Sequence, residues 1–428
     1  MKAISYPRVN EQLFSETLPN GLEVRILPKE GFTKTYAVFS TRFGSIDNHF
    51  RISDGSDVRV PDGIAHFLEH KMFEEPEGDV FQKFAAKGAS ANAFTSFDRT
   101  AYLFSATDHI EENVMTLLDF VQNPYFTDEN VEKEKGIIGQ EIHMYGDLPD
   151  WRVYYGLIEA MYLNHPIHID IAGTVESISK INKETLYSCY NTFYHPGNMA
   201  LFIVGGVEPQ QLMAKIRANQ AAKSFQLYTP VERYYPDEPS EVREKMKVTQ
   251  LTVSLPKCLF GFKENLNGTL SPEQMIKQEL TSRVLFDMLF SPSSTLYQTL
   301  YEENLISDQF GSDYQVSSTY AYSMIGGDTR DPDLLIERTR ALLADFSKNG
   351  FIPTDFERCR RKRIGGYLRL FNSPEAIANE YTKYRFKQID FFEFLSIYES
   401  LTLEDVRKRF DDHFDWTQLA VSIVRSPS

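Results

Sequence analysis

Two histidines four residues apart stand in the stretch Gly63-Ile-Ala-His66-Phe-Leu-Glu69-His70. On a helix, this spacing puts both imidazoles on one face, one turn apart. Two neutral imidazoles can take two corners of a tetrahedral zinc site, and a third protein ligand leaves the last corner for water. Glu69 would lie beside that water, where a general base is needed. The pattern indicates metal-assisted hydrolysis, although two helix histidines with an intervening glutamate also occur as surface salt bridges.

A third ligand is expected from a second helix, and the stretch of residues 132–145 offers Glu134 and Glu141 for this role. Glu134 and Glu141 are seven residues apart, which is two turns, so they share a helix face. The apolar pair Ile137 and Ile138 can anchor this helix to a core. Glu141 would then bind the metal, and Glu134 would hydrogen-bond an imidazole. Helix charge patterning alone explains both glutamates equally well, so spacing leaves the third ligand open.

The elements that must position these residues follow from periodicity and turn chemistry. Asp62 can cap a helix that runs from Gly63 to about Phe73. Apolar runs of strand length recur at residues 36–43 and 201–204. Pro19-Asn20-Gly21 predicts a tight hairpin turn between two strands. Because strands and helices mix without regular βαβ alternation, we predict an α+β fold whose sheets are mainly antiparallel and packed with helices.

The chain contains two similar copies of one unit. At an offset of 225 residues, the apolar pattern of residues 110–149 recurs at residues 335–374. At an offset of 220 residues, the pattern of residues 184–204 recurs at residues 404–424. Any two amphipathic helices can be aligned on apolar spacing, but two blocks in the same order favour a duplication.

A proline-rich, charged stretch separates the copies. Residues 228–247 show little apolar periodicity, which is typical of a linker. We therefore predict a zinc-bearing domain over residues 1–227 and a homologous domain over residues 248–428. At the offset of 225, Gly366 takes the place of Glu141, so the second domain is expected to lack a metal site.

The composition of the chain limits its possible binding partners and its cellular compartment. The chain has 45 basic and 60 acidic residues, and its formal net charge of −15 repels nucleic acid and anionic lipid. No stretch approaches the roughly 18 apolar residues of a membrane span, and residues 1–18 lack the apolar core of a signal peptide. Three widely spaced cysteines are typical of a reducing compartment. We therefore expect a cytoplasmic protein without a nucleic-acid or membrane partner.

These stretches resemble a known family, the inverted-motif zinc peptidases of the pitrilysin, insulin-degrading enzyme and mitochondrial processing peptidase type. His66-x-x-Glu69-His70 resembles the family's inverted motif. The resemblance implies a Zn²⁺ site at His66, His70 and Glu141. It also implies catalytic roles for Glu69, as the general base, and for Glu134. Further similar stretches lie at residues 18–22, 88–100, 165–169 and 194–199.

The resemblance also implies how substrate and partner are held. Asn92, Ala93, Phe94 and Thr95 would form an edge strand beside the metal, where an extended peptide adds through backbone hydrogen bonds. From composition alone, the same residues favour a small-residue turn that leads into a core strand. Relatives with four such units in one chain enclose the substrate, whereas this chain has two. A second chain is therefore expected, as a homodimer or as a heterodimer with a paralogue that lacks the zinc motif.

The sequence thus predicts a zinc metalloendopeptidase that hydrolyses peptides or short unfolded polypeptide segments. Two alternatives stay open. A noncatalytic or assembly subunit of a peptidase-like complex would use the same fold without cleavage. A dedicated maturation protease for one peptide would differ in its choice of substrate alone.

Overall fold

The structure, a computed structural model, describes residues 1–52, 55–266 and 270–427. The strands, in chain order, are β1 (Lys2–Tyr6), β2 (Glu11–Thr17), β3 (Glu23–Pro28), β4 (Thr35–Thr41), β5 (His49–Arg51), β6 (Asp57–Arg59), β7 (Glu74–Glu75), β8 (Gly78–Asp79), β9 (Ser90–Thr95), β10 (Thr100–Ala106), β11 (Met199–Gly205), β12 (Glu232–Arg233), β13 (Met246–Gln250), β14 (Lys257–Phe262), β15 (Gly311–Val316), β16 (Ala321–Asp328) and β17 (Leu419–Arg425). The α-helices are α1 (Ile64–Lys71), α2 (Val80–Ala85), α3 (Ile110–Val121), α4 (Asp128–Gly146), α5 (Pro149–Met161), α6 (Val175–Ser179), α7 (Lys183–Phe193), α8 (Pro209–Ala221), α9 (Pro272–Phe290), α10 (Thr295–Glu302), α11 (Pro332–Asn349), α12 (Pro353–Leu370), α13 (Pro374–Arg385), α14 (Phe394–Ser400) and α15 (Leu403–His413).

The first of two compact units comprises Met1–Ile142, Ile169–Tyr235 and Leu370–Phe386. Its seven-stranded sheet has the order β1-β2-β3-β11-β4-β10-β9, with β3 and β11 parallel and the other neighbours antiparallel. The central strands β4 and β11 are buried along their whole lengths. The predicted hairpin at residues 19–21 is confirmed, because β2 and β3 pair antiparallel on either side of it.

The second unit comprises His143–His168, Pro236–Arg369 and Lys387–Ser428. Its five-stranded sheet has the order β13-β17-β14-β16-β15, again with one parallel pair, β13 and β17. This order repeats β3-β11-β4-β10-β9 of the first unit, as a duplicated unit requires. The predicted α+β class is confirmed. No helix among residues 1–52, 55–266 and 270–427 is long and apolar enough to cross a membrane.

Neither unit is one continuous stretch of the chain. Helix α5 packs on β13, β14 and β17 of the second unit, and α13, its counterpart at the offset of 225, packs on β4 and β11 of the first. The predicted domains, residues 1–227 and 248–428 with a linker at 228–247, are continuous in sequence. Helix α5 lies in the first predicted domain but belongs to the second unit, and α13 lies in the second predicted domain but belongs to the first unit. The packing of α5 is close, because a β-carbon at Gly156 would lie 2.4 Å from Ser422 Oγ.

Glu264 is the centre of a buried polar network in the second unit. Its carboxylate contacts Arg409 and His413, and it accepts hydrogen bonds from Tyr314 Oη at 2.8 Å and Gln278 Nε2 at 2.6 Å. Burial raises the pKa of Glu264, but the charges of Arg409 and His413 outweigh burial and lower it to about 2. Glu264 is therefore ionised at neutral pH and compensates the buried guanidinium.

Glu264→Gln should strongly destabilise the fold, because it leaves the Arg409 charge buried without a carboxylate. We expect the free energy of unfolding, measured by urea denaturation, to fall by about 3–5 kcal/mol. Glu303→Gln is the matched control, since Glu303 pairs with Arg338 at the surface and its loss should cost less than about 1 kcal/mol. Equal losses in the two variants would contradict the role given to burial.

Candidate metal centre

Helix α1 presents His66 and His70 on one face. Their ring centroids are 4.5 Å apart, and the ring planes are inclined by 62°. The opposite side of the helix is anchored in the core, so the direction of both imidazoles is fixed by packing. The buried apolar residues of α1 are Ile64, Ala65, Phe67 and Leu68.

Helix α1 begins in a way that differs from the prediction. Its N-cap is Gly63, in the left-handed conformation with φ 87°, and no side chain caps it. The predicted cap by Asp62 is therefore wrong, and the Asp62 carboxylate instead accepts a hydrogen bond from Asn48 Nδ2 at 2.9 Å. A β-carbon at Gly63 would lie 2.4 Å from the Ala172 carbonyl oxygen. Glycine adopts the left-handed conformation readily, and its lack of a β-carbon leaves room for the Ala172 carbonyl oxygen.

Helix α4 brings Glu141 to the two histidines. Nε2 of His66 lies 3.8 Å from Oε1 of Glu141, and Nε2 of His70 lies 3.5 Å from its Oε2. One ligand atom from each of the three residues lies within 4.8 Å of the others, and no second such cluster occurs in the part of the chain that the structure describes. A tetrahedral zinc with bonds of about 2.1 Å separates neighbouring ligand atoms by about 3.4 Å. The donor set and its spacing therefore fit zinc.

His66 is held in the protonation state that binds a metal. Burial, and then the charge of the neighbouring His70, lower its pKa to about 4. The imidazole is therefore neutral near pH 7, which is the form that metals bind. Its Nδ1 is buried and has no hydrogen-bond partner among the described residues. The ring proton can stay on Nδ1, and the Nε2 lone pair then faces Glu141.

Glu134 orients His70. Its Oε1 lies 3.1 Å from His70 Nδ1, and Lys71 Nζ donates to its Oε2 at 3.3 Å. Burial raises the pKa of Glu134, but the hydrogen bond with His70 and the charge of Lys71 outweigh burial, so the pKa lies below its ordinary value. The ionised carboxylate accepts the Nδ1 proton and leaves the Nε2 lone pair of His70 free for a metal.

Lys71 belongs to the site, although no sequence pattern indicates it. Its side chain is 1 % exposed, and it also pairs with Glu74. A buried ammonium is retained where carboxylates compensate its charge. The one signal in the sequence is a lysine that directly follows the polar pair Glu69 and His70 and precedes the apolar pair Met72 and Phe73. That signal does not tell which carboxylate the lysine reaches.

Glu69 directly precedes His70 and is not one of the three candidate ligands. Its carboxylate interacts electrostatically with His70 and Glu141. Its side chain is 8 % exposed, and burial raises its pKa to about 7 against the opposing hydrogen bond from Thr95. A carboxylate whose pKa lies near the working pH both takes up and returns a proton readily. The site therefore combines a candidate metal and a candidate general base.

Residues 92–95 lie on β9, which is the edge strand of the seven-stranded sheet. The alternative of a small-residue turn is wrong for them, because Ser90–Thr95 pairs along its length with β10. An edge strand keeps one row of backbone donors and acceptors outside the ladder. Substrate binding by Asn92, Ala93, Phe94 and Thr95 stays a prediction.

The side chains on β9 have different surroundings. Asn92 Oδ1 accepts a hydrogen bond from the backbone N–H of Ala93 at 2.9 Å. The Arg99 guanidinium lies 5.2 Å from the centre of the Phe94 ring. The Thr95 hydroxyl donates to Glu69 Oε2 at 2.6 Å, a contact that the sequence pattern does not reveal.

Comparison with known proteins places the chain in a family. Residues 52–175 match the family model for Insulinase (Peptidase family M16), and residues 180–363 match the model for the Peptidase M16 inactive domain. The uncharacterized zinc protease YmfH of Bacillus subtilis (strain 168) is 49% identical over 427 residues, 99% of each chain. The chain belongs to peptidase family M16. The family resemblance read from the sequence is confirmed.

Solved structures show how the M16 fold of this chain recurs. A putative M16-like peptidase from Alicyclobacillus acidocaldarius is 44% identical and superimposes with a TM-score of 0.93, covering 97% of this M16 chain and 99% of that one. The periplasmic protease PqqL from Escherichia coli has the same fold with a TM-score of 0.71 at 16% identity. The M16 chain matches 96% of its own length to 47% of PqqL.

Gly63→Ala in this M16 chain should weaken both the fold and zinc binding. The change forces a side chain into the left-handed region, at about 1–2 kcal/mol, and puts a β-carbon against the Ala172 carbonyl oxygen. We expect the free energy of unfolding to fall by more than about 2 kcal/mol, with a weaker zinc affinity in competition with a chromophoric chelator.

Gly139→Ala on α4 is the control for this experiment. An added β-carbon there meets nothing within 4 Å, and alanine should stabilise the helix by up to about 1 kcal/mol. A Gly63→Ala protein as stable and as zinc-avid as the Gly139→Ala protein would contradict the role assigned to the start of α1.

Proposed function

We propose that this chain is a zinc-dependent endopeptidase that hydrolyses peptides or short unfolded polypeptide segments. The observation that carries the proposal is the convergence of His66, His70 and Glu141 within 4.8 Å, with the buried carboxylate of Glu69 beside them. The names of relatives such as YmfH, a zinc protease, point the same way. When bound by these three residues, zinc would supply a Lewis acid for the water and for the scissile carbonyl.

The chain's own residues provide the proton transfers. Glu69 takes a proton from the attacking water while the water oxygen bonds to the scissile carbonyl carbon. When the carbon–nitrogen bond breaks, Glu69 returns that proton to the departing amine, so the products are a carboxylic acid and an amine. Glu134 keeps His70 in the tautomer that binds through Nε2.

The edge strand β9 gives the proposed enzyme a way to hold many substrates. An extended peptide can add to β9 through backbone hydrogen bonds, which do not depend on the substrate's side chains. We infer that residues 92–95 contact the substrate chiefly through their main chain. General peptide turnover and dedicated maturation of one peptide share this mode and differ in the range of sequences that are cut.

The proposed partner is a second chain that completes a substrate chamber. The fold of this chain covers 47% of the longer protease PqqL, which supports a function in pairs, either with an identical copy or with a paralogue. Light scattering with activity measured on the same sample tests this: a dimer is expected, and a fully active monomer would contradict it. A cytoplasmic location is supported by three buried cysteines without disulfides.

The rival function is a noncatalytic or assembly subunit. The match of residues 180–363 to an inactive domain of the family favours it for the second copy. At the offset of 225 that copy has Gly366 in place of Glu141. The first copy keeps the complete set of candidate residues, which favours the enzyme. A protein that binds zinc and peptides without cutting them would instead support the rival.

Glu69→Gln should abolish cleavage and leave zinc bound, because the amide cannot take up the proton and Glu69 is not a ligand. We expect kcat to fall by at least about 100-fold, with one zinc per chain by elemental analysis. Glu112→Gln is the control, since Glu112 is an exposed carboxylate on α3. If the Glu69→Gln protein hydrolyses peptides at the wild-type rate, the mechanism is wrong.

A further inference from the structure

Thr95 is the point where the edge strand meets the candidate general base. On β9, side chains alternate between the two faces of the sheet, so Thr95 shares a face with Ala91 and Ala93, which pack against the core. Helix α1 packs against the same strand. The Thr95 hydroxyl closes this contact by reaching Glu69 Oε2 at 2.6 Å.

The direction of this hydrogen bond is set by its neighbour. Thr100 lies opposite Thr95 in the register of β9 and β10, and their hydroxyl oxygens are 3.3 Å apart. Thr100 Oγ1 uses its own proton on the Phe43 carbonyl oxygen at 2.9 Å. Since a hydroxyl has one proton to donate, that of Thr95 goes to the nearer acceptor, the Glu69 carboxylate.

A carboxylate held by one oxygen has a restricted orientation. Glu69 is nearly buried, so few waters compete for Oε2. With Oε2 fixed to β9, rotation about the last side-chain bond is limited, and Oε1 keeps one direction from which to accept a proton. Proton transfer depends steeply on such placement, because a displacement of about 1 Å can lower a rate by about 100-fold.

We infer that Thr95 is a positioning residue for Glu69, through a hydroxyl on the strand to which the substrate is proposed to add. The inference rests on the proposed function of Glu69 as general base. It differs from a substrate contact, which would alter KM, and from a purely structural role, which serine would not rescue. It requires the hydroxyl and not the methyl group of threonine.

The test compares Thr95→Val, Thr95→Ala and Thr95→Ser in the full-length, zinc-loaded protein. Valine keeps the shape and removes the hydroxyl, alanine removes both branches, and serine keeps the hydroxyl. We expect kcat to fall by about 10- to 100-fold in the first two variants, with KM and zinc content unchanged. Serine should restore kcat to within about threefold of wild type. Thr116→Val is the control, because its hydroxyl donates to the Glu112 carbonyl oxygen on α3, outside the site, and its kcat should stay within about threefold of wild type.

Crystal structures of the zinc-loaded wild type and Thr95→Val proteins give a readout that is independent of activity. The Glu69 carboxylate should be ordered against residue 95 in the wild type and rotated or disordered in the valine variant. An unchanged Glu69 position in the variant, an unchanged kcat, or an increase in KM alone would overturn the inference.

The failure of the proposed function gives a different result. In that case the Glu69→Gln protein would cleave peptides like the wild type, whatever the position of Glu69 in the crystals. Loss of cleavage in Glu69→Gln combined with wild-type kcat in Thr95→Val would reject the positioning role alone.

Discussion

Burial of ionisable side chains where α1, α4 and β9 meet is the constraint on which the candidate site depends. The same exclusion of water lowers the pKa of His66 and raises that of Glu69. The first shift keeps an imidazole neutral, as a ligand requires, and the second brings a carboxylate near the pKa of an effective base. Glu134 escapes this effect because His70 and Lys71 compensate its charge. The packing that buries these side chains therefore also determines the pKa values of His66 and Glu69.

The duplicated architecture lets equivalent positions of the two units be compared directly. Strand register makes Thr41 and Phe262 equivalent. Two residues after each of them stand Phe43 and Glu264. Phe43 stacks on Phe193 with ring centroids 4.1 Å apart. At the equivalent place in the second unit, Glu264 instead contacts His413.

The contacts at these equivalent positions differ in polarity between the two units. The first unit has an aromatic pair at the place where the second has a charged network. In the second unit the buried charges of Glu264 and Arg409 satisfy each other and hold the fold. Buried charge that is already compensated within the protein is not available for a ligand.

Short-range sequence patterns are sufficient to predict part of the fold and part of the candidate site. The spacing of His66, Glu69 and His70 predicts which side chains share a helix face, because that depends on helical periodicity alone. The α+β class and the hairpin at residues 19–21 follow from equally local signals. The role of Glu141 needed more than spacing, since charge patterning explains a surface glutamate as well, and the family resemblance supplied it.

Long-range contacts account for what the sequence does not reveal. The N-cap of α1 is Gly63 and not the predicted Asp62. The Ala172 carbonyl oxygen, more than a hundred residues away in sequence, occupies the space that a β-carbon at residue 63 would need. The hydrogen bond from Thr95 to Glu69 depends on the packing of β9 against α1, and no periodicity encodes it. Likewise, a repeat read from apolar spacing cannot tell that α5 packs on the sheet of the second unit.

Mass spectrometry of a peptide library incubated with the purified protein decides whether the chain is a zinc endopeptidase. The comparison is between protein as isolated with any co-purifying chain, protein stripped by a chelator, and stripped protein restored with one equivalent of zinc. A zinc endopeptidase gives internal cleavage products in the first and third samples and none in the second. An unchanged library in the presence of a protein that carries one zinc per chain would contradict this function.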